Sequence, residues 1–289
     1  MSAPVAGEES PLALICGSGS LPLAVADSVA ARGRRVLLFP LRGIAAPQDY
    51  AGRAPIWLQL AKFGTFIRAA RAAGCRDLVL IGSLVRPSFW QLRFDLTTLR
   101  MLPGIAASFR GGDDHLLSGV ARLIEGEGFR LLGAHEVAPE ILVPKGVLGR
   151  VQPTPQDETD AALGFRYLHA TGMFDVGQAV VVASNRVLAV EAAEGTDQML
   201  VRVAELRRTG RLAAGEGRGV LVKCPKPTQD RRFDLPSIGP QTIKGVASAG
   251  LAGVAVAAGE TIAAQSARLV EIADRENVFV AGLASGLQR

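Results

Sequence analysis

Residues 223–240 gather four prolines (Pro225, Pro227, Pro236, Pro240), four basic residues (Lys223, Lys226, Arg231, Arg232) and two aspartates (Asp230, Asp234). Proline restricts the backbone, so these charges are held at fixed places with little entropy left to lose. A stiff loop of this composition suits phosphate. Lysine and arginine neutralise a pyrophosphate, the carboxylates hold Mg²⁺ or orient water, and a helix start at Gly239-Pro240 offers free N–H donors. Composition leaves a second reading open, a solvated connector whose charges pair among themselves.

Two further stretches carry chemistry. At 187–197 an apolar strand runs into Glu191, Glu194, Gly195, Thr196 and Asp197, with Thr196 placed to cap a following helix whose apolar face is Leu200, Val203 and Leu206. One acid there would do no more than complement the helix dipole. Three acids beside a glycine at a strand-to-helix junction also fit a hard-cation or catalytic site, because oxygen ligands suit Mg²⁺. Near the N-terminus, Gly17-Ser18-Gly19-Ser20-Leu21-Pro22 follows a short apolar run. Glycine lets backbone N–H groups approach an anion, and the helix start behind it carries partial positive charge. The turn is not a dinucleotide fingerprint. Pro22 replaces the third glycine, and Leu37-Leu38-Phe39-Pro40 stands where an acid for the ribose is needed. It reads as plain punctuation or as a seat for phosphate or a polar sugar.

Other constellations are weak. His115, His135 and His169 have no zinc-site spacing to one another or to Cys16, Cys75 and Cys224. Asp113-Asp114-His115 reads as a helix cap. There is no G-x-x-x-x-G-K-[ST] and no G-x-S-x-G, so nucleotide triphosphatases and α/β-hydrolases lack their central parts. No serine or cysteine stands beside a paired base, which leaves direct attack by water for a diphosphate ester. Basic residues are not interleaved with stacking aromatics, and nucleic acid is not expected as a partner.

The elements that must position these residues follow from periodicity. The chain has 289 residues, 48% hydrophobic and 20% charged, with a formal charge of +5, enough for two ordinary domains and too apolar for disorder. Three distant cysteines exclude a disulfide scaffold. No stretch reaches the ~18 uncharged apolar residues of a membrane span, and acidic Glu8 and Glu9 without an apolar run behind them argue against a leader. A cytoplasmic protein is expected. Strands at 12–16, 35–39, 77–81 and 129–132 alternate with helices at 21–31, 63–73 and 113–125, the pattern of an open parallel sheet. Prolines 139, 144, 153 and 155 place a boundary, giving a Rossmann-like N-terminal domain over 1–150 and a C-terminal α/β domain over 151–289.

Taken together, Gly17 to Pro22, Lys62-Phe63-Gly64, Gly112-Asp113-Asp114, Glu191 to Leu200 and the whole 223–242 loop resemble the UDP-2,3-diacylglucosamine pyrophosphatases of lipid A biosynthesis. The type is the two-domain, Mg²⁺-dependent one, unrelated to the calcineurin-like phosphoesterases. The resemblance runs from about Leu12 to the C-terminus. It implies hydrolysis of UDP-2,3-diacylglucosamine to UMP and 2,3-diacylglucosamine 1-phosphate (lipid X) in the cytoplasm, at the inner-membrane surface of a Gram-negative bacterium, with the lipid held between the domains. It implies Asp230, Asp234 and Lys223 as catalytic residues and Mg²⁺ on Asp230, Glu194 and Asp197. Substrate contacts are expected from Gly17, Gly19, Ser20, Lys62, Gly64, Gly82, Ser83, Gly195, Thr196, Lys226, Gln229 and Thr242. Asp230 either binds the ion or activates water, and the water is expected to enter at the sugar-side phosphorus. A homodimer is compatible with such a chain, although no residue marks one. The aromatic and basic stretch 86–94 reads either as a lipid contact or as a helix at the domain interface.

Two other classes use the same features. A nicotinamide-dependent oxidoreductase would place dinucleotide on the first glycine turn, and a non-catalytic carrier of nucleotide-linked lipid would use the basic loop without hydrolysis.

Overall fold

The computed structural model describes residues 9–60, 62–82, 113–174, 176–212, 217–227 and 229–284, the side chains of 113–118 and 120 excepted. Ser83, Gly112, Thr228, the 86–94 stretch and the side chains of Asp113, Asp114 and His115 therefore lie outside the described residues. The chain forms two compact units, residues 1–139 and 140–289. The division falls earlier than the expected 150. The strand β5 (Gly146–Leu148) pairs antiparallel with β12 (Phe279–Leu283), so residues 140–150 join the second unit.

The first unit is an open parallel sheet. Its strands are β1 (Leu12–Cys16), β2 (Val36–Pro40), β3 (Asp77–Ile81) and β4 (Arg130–Leu131), in the order β2-β1-β3-β4. Helices α1 (Leu21–Ala31), α2 (Phe63–Ala72) and α3 (Asp113–Gly126) follow β1, β2 and β3, and the short α4 (Ala134–Val137) follows β4. All five residues of β1 are buried, as expected of a central strand covered on both faces. Phe66 of α2 seats the helix on the sheet, edge-on to Phe39 at 5.1 Å between ring centroids. At the amino end of the sheet Asp77 is buried and accepts hydrogen bonds from Arg34, just before β2, and from Arg130 Nε in β4 at 2.7 Å. One carboxylate thus ties the starts of three strands.

The second unit has a mixed six-stranded sheet. β6 (Ala179–Ala183), β7 (Arg186–Val190), β8 (Val220–Lys223) and β10 (Gly253–Ala257) join β5 and β12 in the order β5-β12-β10-β8-β6-β7. β8, β10 and β12 run parallel, while β6 is antiparallel to both β8 and β7. Strand alternation divides the core. Val180, Val182, Val220 and Val222 face α5 (Pro155–Thr171), whereas Val181, Leu221, Val254 and Val256 pack with α6 (Gly195–Arg208), α7 (Pro240–Ser248) and α8 (Ser266–Arg275). Close approach of α5 to β8 depends on Gly164, where a Cβ would stand 2.5 Å from Val222 Cγ2. Asp160, 1% exposed on the same helix, accepts from the N–H groups of Ser184 and Asn185 at 2.9 and 2.7 Å and so fixes the β6–β7 turn. A small pair, β9 (Ser237–Ile238) and β11 (Ile262–Ala263), sits apart from the main sheet.

Burial alone would raise the Asp77 carboxyl, but hydrogen bonds from Arg130 and Arg34 outweigh it and hold the group below the ordinary carboxylate range. A lowered folded value means stabilisation that is complete above the unfolded carboxylate value, ~3.9, and lost as pH falls through the folded one. Asp77→Asn is therefore expected to cost about 1–2 kcal/mol at pH 7 in urea unfolding. The difference from wild type should shrink on acidification below pH ~4, and a gap unchanged at that acidity would contradict the assignment.

Candidate functional site

In parallel α/β sheets the strands deliver their last residues, and the following helices their N-termini, to the carboxyl edge. In the second unit that edge holds Lys223, the final residue of β8, with Gln178 just before β6 and Glu191 just after β7. Lys223 alternates with Val222 and so points to the α6–α8 face. It is 8% exposed, and its ammonium donates to Thr196 Oγ1 at 2.9 Å and to the Ser237 carbonyl at 3.1 Å. A lysine has three N–H donors. The third has no acceptor among the described residues, and none of their carboxylates forms an ion pair with it. Burial pushes its pKa below the ordinary lysine value, against the opposing charges of Glu191, Asp197 and Asp234.

Thr196 does not cap α6 as the sequence suggests. Glu194 occupies the N-cap position, and Gly195 turns the chain into the helix at φ +78°. The Thr196 hydroxyl instead donates to Glu191 Oε1 at 2.5 Å, while Glu191 Oε2 accepts from the Gln178 N–H at 2.7 Å. The α7 N-terminus lies beyond Ser237 in the chain, and there Thr242 Oγ1 accepts from the Gly239 N–H at 3.3 Å. Two helix starts, a buried cation and a hydroxyl thus converge on one edge, an arrangement suited to an anion.

The loop after β8 is tied to this edge. Asp234 accepts from Gln178 Nε2 at 3.1 Å and from Gln229 Nε2, and Gln229 Oε1 accepts from the Lys226 N–H at 3.1 Å. Asp230 pairs with Arg232, whose guanidinium holds the carboxyl below the ordinary aspartate value. Arg231 pairs with Glu260 at 2.7 Å. The three expected metal ligands are not gathered. Glu194 pairs with Arg202 at 2.9 Å, Asp230 with Arg232, and Asp197 is exposed on α6. Among the described residues no group of three or more His, Cys, Asp or Glu could hold a metal ion. A preformed protein cage for Mg²⁺ does not fit this arrangement, because two of the three acids already have arginine partners and the third, Asp197, is not gathered with them.

In the first unit the expected contacts also share the carboxyl edge. Gly17, Gly19 and Ser20 follow β1, Lys62 and Gly64 open α2, and Gly82 follows β3. Strand order reverses between β1 and β3, where open sheets form their ligand crevice. Gly82 takes φ +101°, and a Cβ on it would meet the Gly17 backbone and the Ser18 carbonyl at 2.9 Å. Only glycine lets the two turns close this tightly. Beside them, Tyr50 and Trp57 stack edge to face and Arg42 covers the Trp57 ring at 5.7 Å.

Sequence reasoning missed Gln178 and gave Glu191 no separate role. A glutamine before an apolar strand carries no local signal, and Glu191 is distinguished from its acidic neighbours only by burial, at 9% exposure.

Residues 11–141 match the LpxI N-terminal domain and residues 144–281 the LpxI C-terminal domain, in agreement with the structural division. A protein of Caulobacter vibrioides named UDP-2,3-diacylglucosamine pyrophosphatase LpxI is 40% identical over 274 residues, covering 94% of this chain and 97% of its own length. With both domains matched in order and that identity running along nearly the whole chain, the protein belongs to the LpxI family.

Proposed function

We propose that the chain hydrolyses UDP-2,3-diacylglucosamine to UMP and 2,3-diacylglucosamine 1-phosphate in lipid A biosynthesis. The observation that carries this reading at the site is the Lys223 ammonium, buried at the carboxyl edge with one N–H lacking an acceptor among the described residues and two helix N-termini on the same edge. Family membership and the activity named for the Caulobacter relative support the substrate.

The chemistry follows from the residues. Water attacks the sugar-side phosphorus, a P–O bond forms to the water oxygen, the bridging P–O bond breaks, and UMP departs. Lys223 and the helix N-termini offset charge that develops on the phosphate oxygens. A covalent route through Cys224 is disfavoured, since burial pushes its thiol up to about 12. Asp230 is fully ionised at neutral pH and too weak a base to deprotonate water efficiently, so we assign it to orienting water or an ion. Mg²⁺ takes one or two carboxylates together with substrate phosphates, so Asp230 with the diphosphate would hold it, and it would supply charge neutralisation there. A diacylated substrate also suggests work at the cytoplasmic surface of the inner membrane. No helix among the described residues is long and apolar enough to cross one.

Incubation with UDP-2,3-diacylglucosamine and Mg²⁺ should release UMP, and a protein that binds the lipid without releasing UMP would be a carrier. Hydrolysis in ¹⁸O water should put the label in the lipid phosphate, and label in UMP would reverse the assigned direction of attack. Asp230→Ala should fold and retain substrate while turnover falls by ~10²-fold or more, the scale of losing one charge-stabilising group; a rate within a few-fold of wild type would remove Asp230 from the mechanism. Because Lys223 must be charged and burial lowers its pKa in the ligand-free protein, kcat/KM should decline as pH rises, at a pH below that of an ordinary lysine. A decline that persists unshifted in Lys223→Met would belong to another group. EDTA should abolish turnover reversibly, while calorimetric titration of Mg²⁺ into the ligand-free protein should show no tight site.

A further inference from the structure

We infer that Glu191 is a positioning residue: through the Thr196 hydroxyl it fixes the Lys223 ammonium so that one N–H stays free for a phosphate oxygen. The inference rests on the hydrolase reading above.

A threonine hydroxyl donates once and accepts through its lone pairs. Glu191 Oε1 takes that proton at 2.5 Å, so the lone pairs turn to Lys223 Nζ, 2.9 Å away. Without Glu191 the hydroxyl could rotate and aim its proton elsewhere, and the acceptor facing the lysine would no longer be fixed. Glu191 itself has little freedom. Its N–H donates to the Ala179 carbonyl at 2.9 Å, its carbonyl accepts from Gly177 at 3.1 Å, and Oε2 takes the Gln178 N–H. Gly177 packs against it so closely that a Cβ there would lie 2.5 Å from Glu191 Cγ.

The arrangement also differs from an ordinary buried ion pair. A cation removed from water normally takes a carboxylate in contact. Here the contacts are two neutral oxygens, with the carboxylates of Glu191, Asp197 and Asp234 acting across a gap. A carboxylate in direct contact would compete with a phosphate for the ammonium. With a hydroxyl between them, the Glu191 carboxylate favours the protonated lysine from across the gap and leaves the last N–H without an acceptor among the described residues. A lysine serving the fold alone gains nothing from that interposition.

The test compares Glu191→Gln, Thr196→Val, their double variant and Thr196→Ser, in the full chain, with UMP release as the assay. Each of the first two should lower kcat about 10- to 100-fold, less than outright loss of a charge-stabilising donor, with KM within about twofold. The double variant should be no slower than the worse single, because both break one chain. Thr196→Ser should recover turnover relative to Thr196→Val. Losses that multiply in the double variant, a rise in KM without a fall in kcat, or unchanged turnover in Glu191→Gln would each overturn the proposal, and so would losses that simply follow a fall in Tm. A second readout separates this failure from failure of the hydrolase reading. Reductive methylation mapped by mass spectrometry should label Lys223 at least about fivefold faster in Thr196→Val than in wild type, with Thr196→Ser close to wild type. If wild type releases no UMP the functional reading falls, and equal labelling of Lys223 in these proteins then removes the positioning role as well.

Discussion

Burying an ammonium ion is costly, by several kcal/mol even after relaxation, unless the surroundings replace the water it loses. The second unit is organised around meeting that cost at Lys223. β6 must pair with β7 for Gln178 to reach Glu191, α6 must begin within a few residues of β7 for Thr196 to face the lysine, and β9 must turn Ser237 toward the same point. None of these elements supplies a complete partner. The ammonium has both of its oxygen acceptors only when all of them are in place, so the local fold and the proposed readiness of this edge for an anion are the same condition.

Both units use one geometric rule for different chemistry. Parallel strands bring loops and helix starts to the carboxyl edge, whether the sheet is four-stranded with Gly17 and Gly82 in mutual contact or six-stranded with Lys223 at its centre. In the first unit the edge presents backbone and glycine, which would leave room for a ligand. In the second it presents charge. The amino end of the first sheet, where Asp77 gathers two arginines, serves cohesion instead.

Much of this was legible in the chain. The turn at Gly17 to Pro22 read correctly because a five-residue apolar run before it is too short for a helix, and 223–242 stood out because prolines fix its charges. What stayed hidden depends on contacts without a local signature. β5 belongs with the second unit because it pairs with β12, across more than a hundred residues, so a boundary drawn from prolines fell too late. Thr196 carries the usual signal of a helix cap, yet its hydroxyl goes to Glu191, a partner available only after β6 has paired with β7. The acids at 191–197 look alike in sequence. Folding separates them into one buried strut, Glu191, one arginine partner, Glu194, and one exposed charge, Asp197.

The pairing of Asp230 with Arg232 and of Arg231 with Glu260 has a further consequence. Both guanidinium groups are paired before any ligand arrives, so a diphosphate binding there would have to trade places with the carboxylates that hold them. Such an exchange returns little net Coulomb energy. Selectivity among anions would then come from whether a ligand's oxygens match the spacing of the displaced partners, and simple inorganic anions, however charged, would gain little by entering.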